Sequence, residues 1–160
     1  MAVIKVSKYD SPVKLDRCYK MVKNRKLFYI SPAEKKGIID KLPGLLLAEK
    51  SVLFAYLHGS FNEDGPFRDI DLAVYFDDKT PKAEILSMEL KLEVSVESAL
   101  RYPVDIRALN NAPAHFSYMA MKKGLRLALR DDKRRVAFEM RTLKKYFDFL
   151  PYRLRYLREA

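Results

Sequence analysis

Residues 51–74 read Ser51-Val-Leu-Phe-Ala-Tyr-Leu-His58-Gly59-Ser60-Phe-Asn-Glu-Asp-Gly-Pro-Phe-Arg68-Asp69-Ile70-Asp71-Leu72-Ala73-Val74. The run from Ser51 to His58 is apolar throughout and short, which suits a strand buried on both faces. Gly59-Ser60 stops it. Asn62-Glu63-Asp64-Gly65-Pro66 is turn chemistry, and Ile70 to Phe76 predicts a second strand returning from that turn. Successive strand residues alternate faces, so Asp69 and Asp71 present two carboxylates about 7 Å apart on one side while Ile70 and Leu72 face the core.

Like charges that close raise each other's pKa unless a cation lies between them. Mg²⁺ is the natural occupant, because it prefers hard oxygen ligands and bridges one or two carboxylates to substrate phosphates. Such an ion neutralises a triphosphate and stabilises the leaving pyrophosphate, as phosphoryl and nucleotidyl transfer require. Gly59 admits backbone close to the phosphates, and the amides with the Ser60 hydroxyl donate to their oxygens. A Gly-Ser pair alone is a common turn; strand, Gly-Ser, turn and Asp-x-Asp together carry the reading.

Working outward, Ser31-Pro32-Ala33-Glu34 is a capping box with proline at the first helical position, and the helix it opens is predicted to end or kink at Pro43-Gly44. Downstream, Thr80-Pro81 opens a helix whose buried face is predicted as Ile85, Met88, Leu92, Val96 and Ala99. Pro103 restarts the chain in extended form, predicting a strand from Val104 to Leu109. Within it Asp105 points away from its core-facing neighbours Val104 and Ile106, which makes it a third acid on a neighbouring strand. A helix over 112–122 and a strand over 125–129 follow. The last helix starts after Asp131-Asp132, with Val136, Met140, Leu143, Phe147 and Leu150 as its predicted core stripe, and Pro151 is expected to end it. The tail from Tyr152 to Tyr156 suits packing on the domain or a subunit interface, which leaves a homo-oligomer open.

His58-Gly59-Ser60-Phe61 and Arg68-Asp69-Ile70-Asp71-Leu72-Ala73-Val74 resemble the signature of the minimal nucleotidyltransferases of the DNA polymerase β superfamily. Val104-Asp105-Ile106-Arg107-Ala108-Leu109-Asn110 with Ala112-Pro113 resembles the third-carboxylate region of its MntA-like branch, and the resemblance runs from about Ala33 to Pro151. It implies an α+β fold, a small mixed sheet flanked by helices, with Mg²⁺ on Asp69 and Asp71. Asp105 takes the position that completes the metal site or helps deprotonate the acceptor hydroxyl. Members of this branch are antitoxins paired with HEPN-type ribonuclease toxins and transfer AMP from ATP to a toxin tyrosine. The family loop commonly reads Gly-Ser-Phe-Ala-Arg-Gly, whereas Phe61-Asn62-Glu63-Asp64 stands here. An arginine and a glycine give way to acidic residues, in a spacer that is shorter than usual.

The 160-residue chain has the length of one domain, read as a basic N-terminal extension over 1–30 and a nucleotidyltransferase domain with a C-terminal helix over 31–160. Its single cysteine, Cys18, rules out an internal disulfide and four-cysteine zinc sites and fits a reducing, cytoplasmic compartment. No stretch reads as a signal peptide or a membrane span. The net charge of +10 is uneven: 1–30 carries +6 and 122–160 carries +8, against −4 for the middle. Basic ends admit nucleic acid, polyphosphate or an acidic protein surface, but solvated helix faces are the favoured reading and no RNA-binding motif accompanies them.

The resulting expectation is a Mg²⁺-dependent transferase moving AMP from ATP to a hydroxyl, on a HEPN-type partner. The alternatives are an antitoxin that neutralises its partner by docking, and a transferase acting on RNA or a small molecule. Asp105 has a simpler structural alternative in an ion pair with Arg107, two residues along on the same face. Arg107 could instead meet the triphosphate. His58 is read as a structural histidine, packed or exposed, with contact to nucleotide as the alternative; His115 has no recognisable partner, and Tyr146, Tyr152 and Tyr156 are read as packing or interface residues.

Overall fold

Residues 26–159 are described by a computed structural model. The elements are α1 (Pro32–Leu47), β1 (Val52–His58), β2 (Ile70–Phe76), α2 (Lys82–Leu100), β3 (Val104–Ala108), α3 (Ala114–Lys123), β4 (Leu125–Leu129) and α4 (Asp132–Glu159). The strands form one mixed sheet in the order β3-β2-β1-β4. β1 pairs antiparallel with β2 and β4, and β2 runs parallel to β3 through the α2 crossover. The expected α+β nucleotidyltransferase-type architecture is the one observed.

β1 is central, so both of its faces are covered and its run from Val52 to Leu57 is buried. On one face Leu42 and Leu46 of α1 and Leu92 and Val96 of α2 pack on Val52, Leu57, Leu72 and Val74. On the other face Phe54, Tyr56, Ala73 and Tyr75 meet Ala120 of α3 and Phe138 of α4.

The Ser31 hydroxyl accepts from the Glu34 amide at 3.2 Å, as the capping box predicts. The helix, however, runs through Pro43-Gly44 to Leu47. An interior proline costs about 3 kcal/mol. Leu42 and Leu46, which straddle it, are both fully buried, and burying a leucine is worth about 2 kcal/mol apiece. Packing thus outweighs the break, and Arg130 reinforces the helix end by donating to the Leu47 carbonyl at 2.6 Å.

In α2, Ile85, Leu92 and Val96 are buried and Met88 packs at the margin, but Ala99 is exposed and Leu100 takes the last core place. The row continues by a step of four from Val96, which keeps it on the sheet. β3 ends one residue earlier than predicted, although the Leu109 amide still donates to the Val74 carbonyl at 2.8 Å. As an edge strand, β3 has outward amides to satisfy. Carboxylates of α2 do so: Glu93 accepts from the Ile106 amide at 3.2 Å and Glu89 from the Ala108 amide at 2.5 Å.

The largest departure is in α4. The helix continues through Pro151 to Glu159 and absorbs the predicted tail. The predicted core stripe lies mostly outside the core: Val136 is 43% exposed, Met140 63% and Phe147 53%. The face turned inward instead carries Phe138, Thr142 and the half-buried Arg135, Glu139 and Tyr146. Three attachments set that rotation. Phe138 meets Phe54 and Tyr75, themselves stacked at 4.7 Å. Tyr146 stacks on Tyr118 at 3.8 Å. Glu139 accepts from the Tyr56 hydroxyl at 2.5 Å and pairs with Arg135 at 2.7 Å. His115 has partners after all, in the Arg153 guanidinium at 2.6 Å and the Tyr146 ring.

Of the predicted N-terminal extension, residues 1–25, including Cys18, lie outside the described residues. Residues 26–30 precede α1, and Phe28 forms an antiparallel bridge with Phe67. Among the described residues, no helix is long and apolar enough to cross a membrane.

Candidate functional site

The site forms where β1 ends and β2 begins. His58 of β1 lies opposite Asp71 of β2, and Asp71 lies beside Asp105 of β3. Residues in register on adjacent strands share a face. The row His58–Asp71–Asp105 therefore crosses three strands on the side covered by α3 and α4. In the next row, Tyr56, Ala73 and Arg107 are in register in the same way, which puts Arg107 two residues from Asp105 on the same face.

Gly59 connects the chain to this row. Its φ of 73° and ψ of −168° belong to a region that is essentially glycine's own. A Cβ there would lie 1.9 Å from Asp71 Oδ2 and 2.8 Å from its Cγ. The glycine is thus required twice, for the backbone turn and for the space that the Asp71 carboxylate fills. Ser60 follows, exposed, at the start of a 3-10 turn over Ser60–Asn62.

The loop between the two motifs is anchored from below. Phe61 and Phe67 are buried, meet edge to face at 4.7 Å, and extend into a cluster with Phe28 and Tyr102. The acidic stretch is tied down by its neighbours: the Asn62 side chain donates to the Lys123 carbonyl at 3.1 Å, and Lys35 donates to the Glu63 carbonyl at 2.5 Å. The spacer is short, but it is a built structure.

Asp69 lies one residue before β2 and is half-buried, as is Asp71, while Asp105 is exposed. Asp69 and Asp105 line one cavity of about 380 Å³, together with Arg68, Lys26, Glu93 and Glu97. Asp105 is thus common to both groupings, in register with Asp71 and sharing this cavity with Asp69. Among the described residues no three of His, Cys, Asp and Glu converge closely enough to enclose a metal by themselves. A magnesium ion completed by substrate phosphates needs no such cage, only hard oxygens on one or two carboxylates. Asp71 and Asp105 are in register and Asp69 lies two residues before Asp71, so the carboxylates that such an ion would need are of the right chemical type.

The ion pair between Asp105 and Arg107 does not form; neither residue has a salt-bridge partner among the described residues. Arg107 instead lies over the Phe116 ring at 4.8 Å, and His58 meets the same ring edge-on at 5.3 Å. Burial holds the His58 pKa below the usual histidine range, with nearby Asp105 opposing that shift and Arg107 adding to it. His58 is accordingly a packed histidine beside the site. Phe116, the platform for both, was not identified from the sequence. It lies in a short helix remote from the motifs, and no local pattern marks it.

The fold has recognisable neighbours among solved structures. A chain of the tri-AMPylated Shewanella oneidensis HEPN toxin in complex with MNT antitoxin superposes with a TM-score of 0.61 at 21% identity, covering 78% of this chain and 97% of that one. A toxin–antitoxin complex of MntA and HepT gives 0.60 at 22%, with coverage of 78% and 97%. A toxin–antitoxin structure with AMP-PNP gives 0.62 at 22%, with 76% and 96%. At these identities the likeness establishes the fold. No curated protein matches the chain. The sequence model of the polymerase beta nucleotidyltransferase family matches residues 40–133, from within α1 through the whole sheet to the start of α4. With Gly59, Ser60, Asp69, Asp71 and Asp105 all inside that span, the chain belongs to the polymerase beta nucleotidyltransferase family.

Proposed function

We propose that this nucleotidyltransferase moves AMP from ATP to a hydroxyl of a HEPN-type partner protein. The observation that carries the chemistry is the row in which Asp71 is in register with Asp105 and backed by Gly59. Similarity to MNT antitoxins solved with HEPN toxins supports the partner, and the similar structure holding AMP-PNP supports the nucleotide.

Asp69 and Asp71 are the residues that would hold Mg²⁺, with Asp105 beside them. When bound, the ion supplies charge neutralisation for the triphosphate and for the departing pyrophosphate. Asp105, the most exposed of the three, takes the proton from the acceptor hydroxyl. The acceptor oxygen then bonds to the α-phosphorus as the bond to the bridging oxygen of the β-phosphate breaks. Amides at Gly59-Ser60 and the Ser60 hydroxyl donate to phosphate oxygens. Arg107 supplies the cation that the loop lacks, since Glu63 stands where an arginine is common.

Incubation with Mg²⁺, a HEPN-type toxin and ATP labelled on the α-phosphate tests the reading. Label is expected on the toxin and is expected to be lost in Asp69→Asn. A tight complex that never acquires label would replace transfer by neutralisation through docking, the reading that the acidic loop favours. Arg107→Met is expected to raise the KM for ATP about tenfold, the scale of one charge-assisted contact. AMP affinity should stay unchanged, and an equal loss for AMP and ATP would remove Arg107 from the triphosphate.

A further inference from the structure

The stripe that α4 leaves outside the core has a regular spacing. Val136, Met140, Leu143, Phe147 and Leu150 follow one another at steps of 4, 3, 4 and 3, and Leu154 and Leu157 continue with 4 and 3. A strict alternation of three and four is the seam of a left-handed coiled coil, narrower than the apolar face a helix lays on a sheet. The domain does not use it as such a face. Its main contacts to α4 run through Phe138, Thr142 and Tyr146, and the seam borders them, with Leu143 and Leu150 half-buried and the Phe147 ring edge-on to Tyr118 at 6.1 Å. Val136, Met140 and Phe147 are more than 40% exposed and Leu154 and Leu157 are 47% and 61% exposed, so five of the seven seam positions are open.

Charge selects the occupant. The positions flanking the seam hold Glu139, Lys144, Arg153 and Arg158 as their charged residues. Glu139 is engaged by Arg135 and the Tyr56 hydroxyl within the domain, and Arg153, which keeps its charge, is held against His115, so Lys144 and Arg158 are the two cations turned to a partner. Two parallel copies of this chain would set Arg153 of one against Arg158 of the other, a repulsive flank pair. We infer that α4 is a docking helix for a partner helix of complementary chemistry, apolar at a matching heptad repeat and acidic on its flanks. This goes beyond the transfer reading and holds or fails without it, because neither ATP nor a HEPN protein enters the test.

The probe is a synthetic three-heptad peptide with leucine at the seam and glutamate on the flanks, compared with a twin carrying lysine on the flanks. Fluorescence anisotropy against the full chain should show the glutamate peptide binding at least about tenfold more tightly than the lysine twin. Met140→Glu with Phe147→Glu should abolish binding while the domain still melts in one cooperative transition, since both side chains are more than half exposed. Lys144→Glu with Arg158→Glu should reverse the preference toward the lysine twin, a gain that misfolding cannot imitate. Equal binding of both peptides, binding of neither, or retention by the Met140→Glu/Phe147→Glu variant would overturn the proposal. So would a concentration-dependent dimer in sedimentation that those substitutions dissolve, or binding to anionic vesicles in preference to the glutamate peptide.

Discussion

Gly59→Ala is expected to abolish nucleotidyl transfer while leaving a folded protein. The new Cβ would fall 1.9 Å from Asp71 Oδ2, and the atom in its way is the far end of a side chain, so the carboxylate swings aside and the backbone stays. The residual cost is the strain of an alanine at a φ of 73°, about 1–3 kcal/mol. The chemical cost is larger. A reacting group misplaced by about 1 Å loses on the order of a hundredfold in rate, and Asp71 would be displaced by more than that. The label-transfer assay should therefore fall at least about a hundredfold, while thermal denaturation still shows one cooperative transition. A variant that transfers at close to the native rate would show that Asp71 is not positioned by Gly59.

Gly124→Ala is expected to do the reverse and attack the fold. Gly124 has an ordinary extended backbone, with φ of −79° and ψ of 155°, so conformational strain is not the issue. Space is. A Cβ there would lie 2.2 Å from the Ala120 carbonyl oxygen and 2.8 Å from that of Leu57, and both are backbone atoms. Relief requires moving the end of α3 away from central strand β1. Overpacking of that kind costs about 3 kcal/mol or more, which lowers the melting temperature by about 10 °C in a domain of this size. Gly44→Ala is the matched control, since its Cβ would meet nothing within 4 Å and it sits inside α1. Melting curves of the two variants separate the effects, and a Gly124→Ala protein as stable as Gly44→Ala would refute the close approach.

The two glycines show how unevenly the sequence reveals the structure. Gly59 was legible because it stands between an apolar run and Asp-x-Asp, where local chemistry already calls for a turn near carboxylates. Gly124 was not, because its space is closed by the way α3 ends, at the Ala120 carbonyl, and by a carbonyl of Leu57 more than sixty residues away in the chain. Glu89 and Glu93 escaped notice for the same cause. On α2 they read as solvated helix residues, and only the neighbouring edge strand turns them into acceptors for Ile106 and Ala108.

Local signals in the sequence were enough for the Ser31 cap, the buried run of β1, the strand after the turn, and the placement of Asp71 and Asp105 on strands with Asp69 just before β2. Register then brought two of those acids side by side. Tertiary structure alone decided what depends on competition between elements. α1 crosses Pro43 because two leucines on either side are fully buried. α4 turns Phe138 and Tyr146 inward because aromatic partners on the sheet and on α3 hold them there, and its most regular apolar stripe is left facing out. Periodicity reports that a helix has an apolar face. Which face is covered depends on what the rest of the chain brings to it.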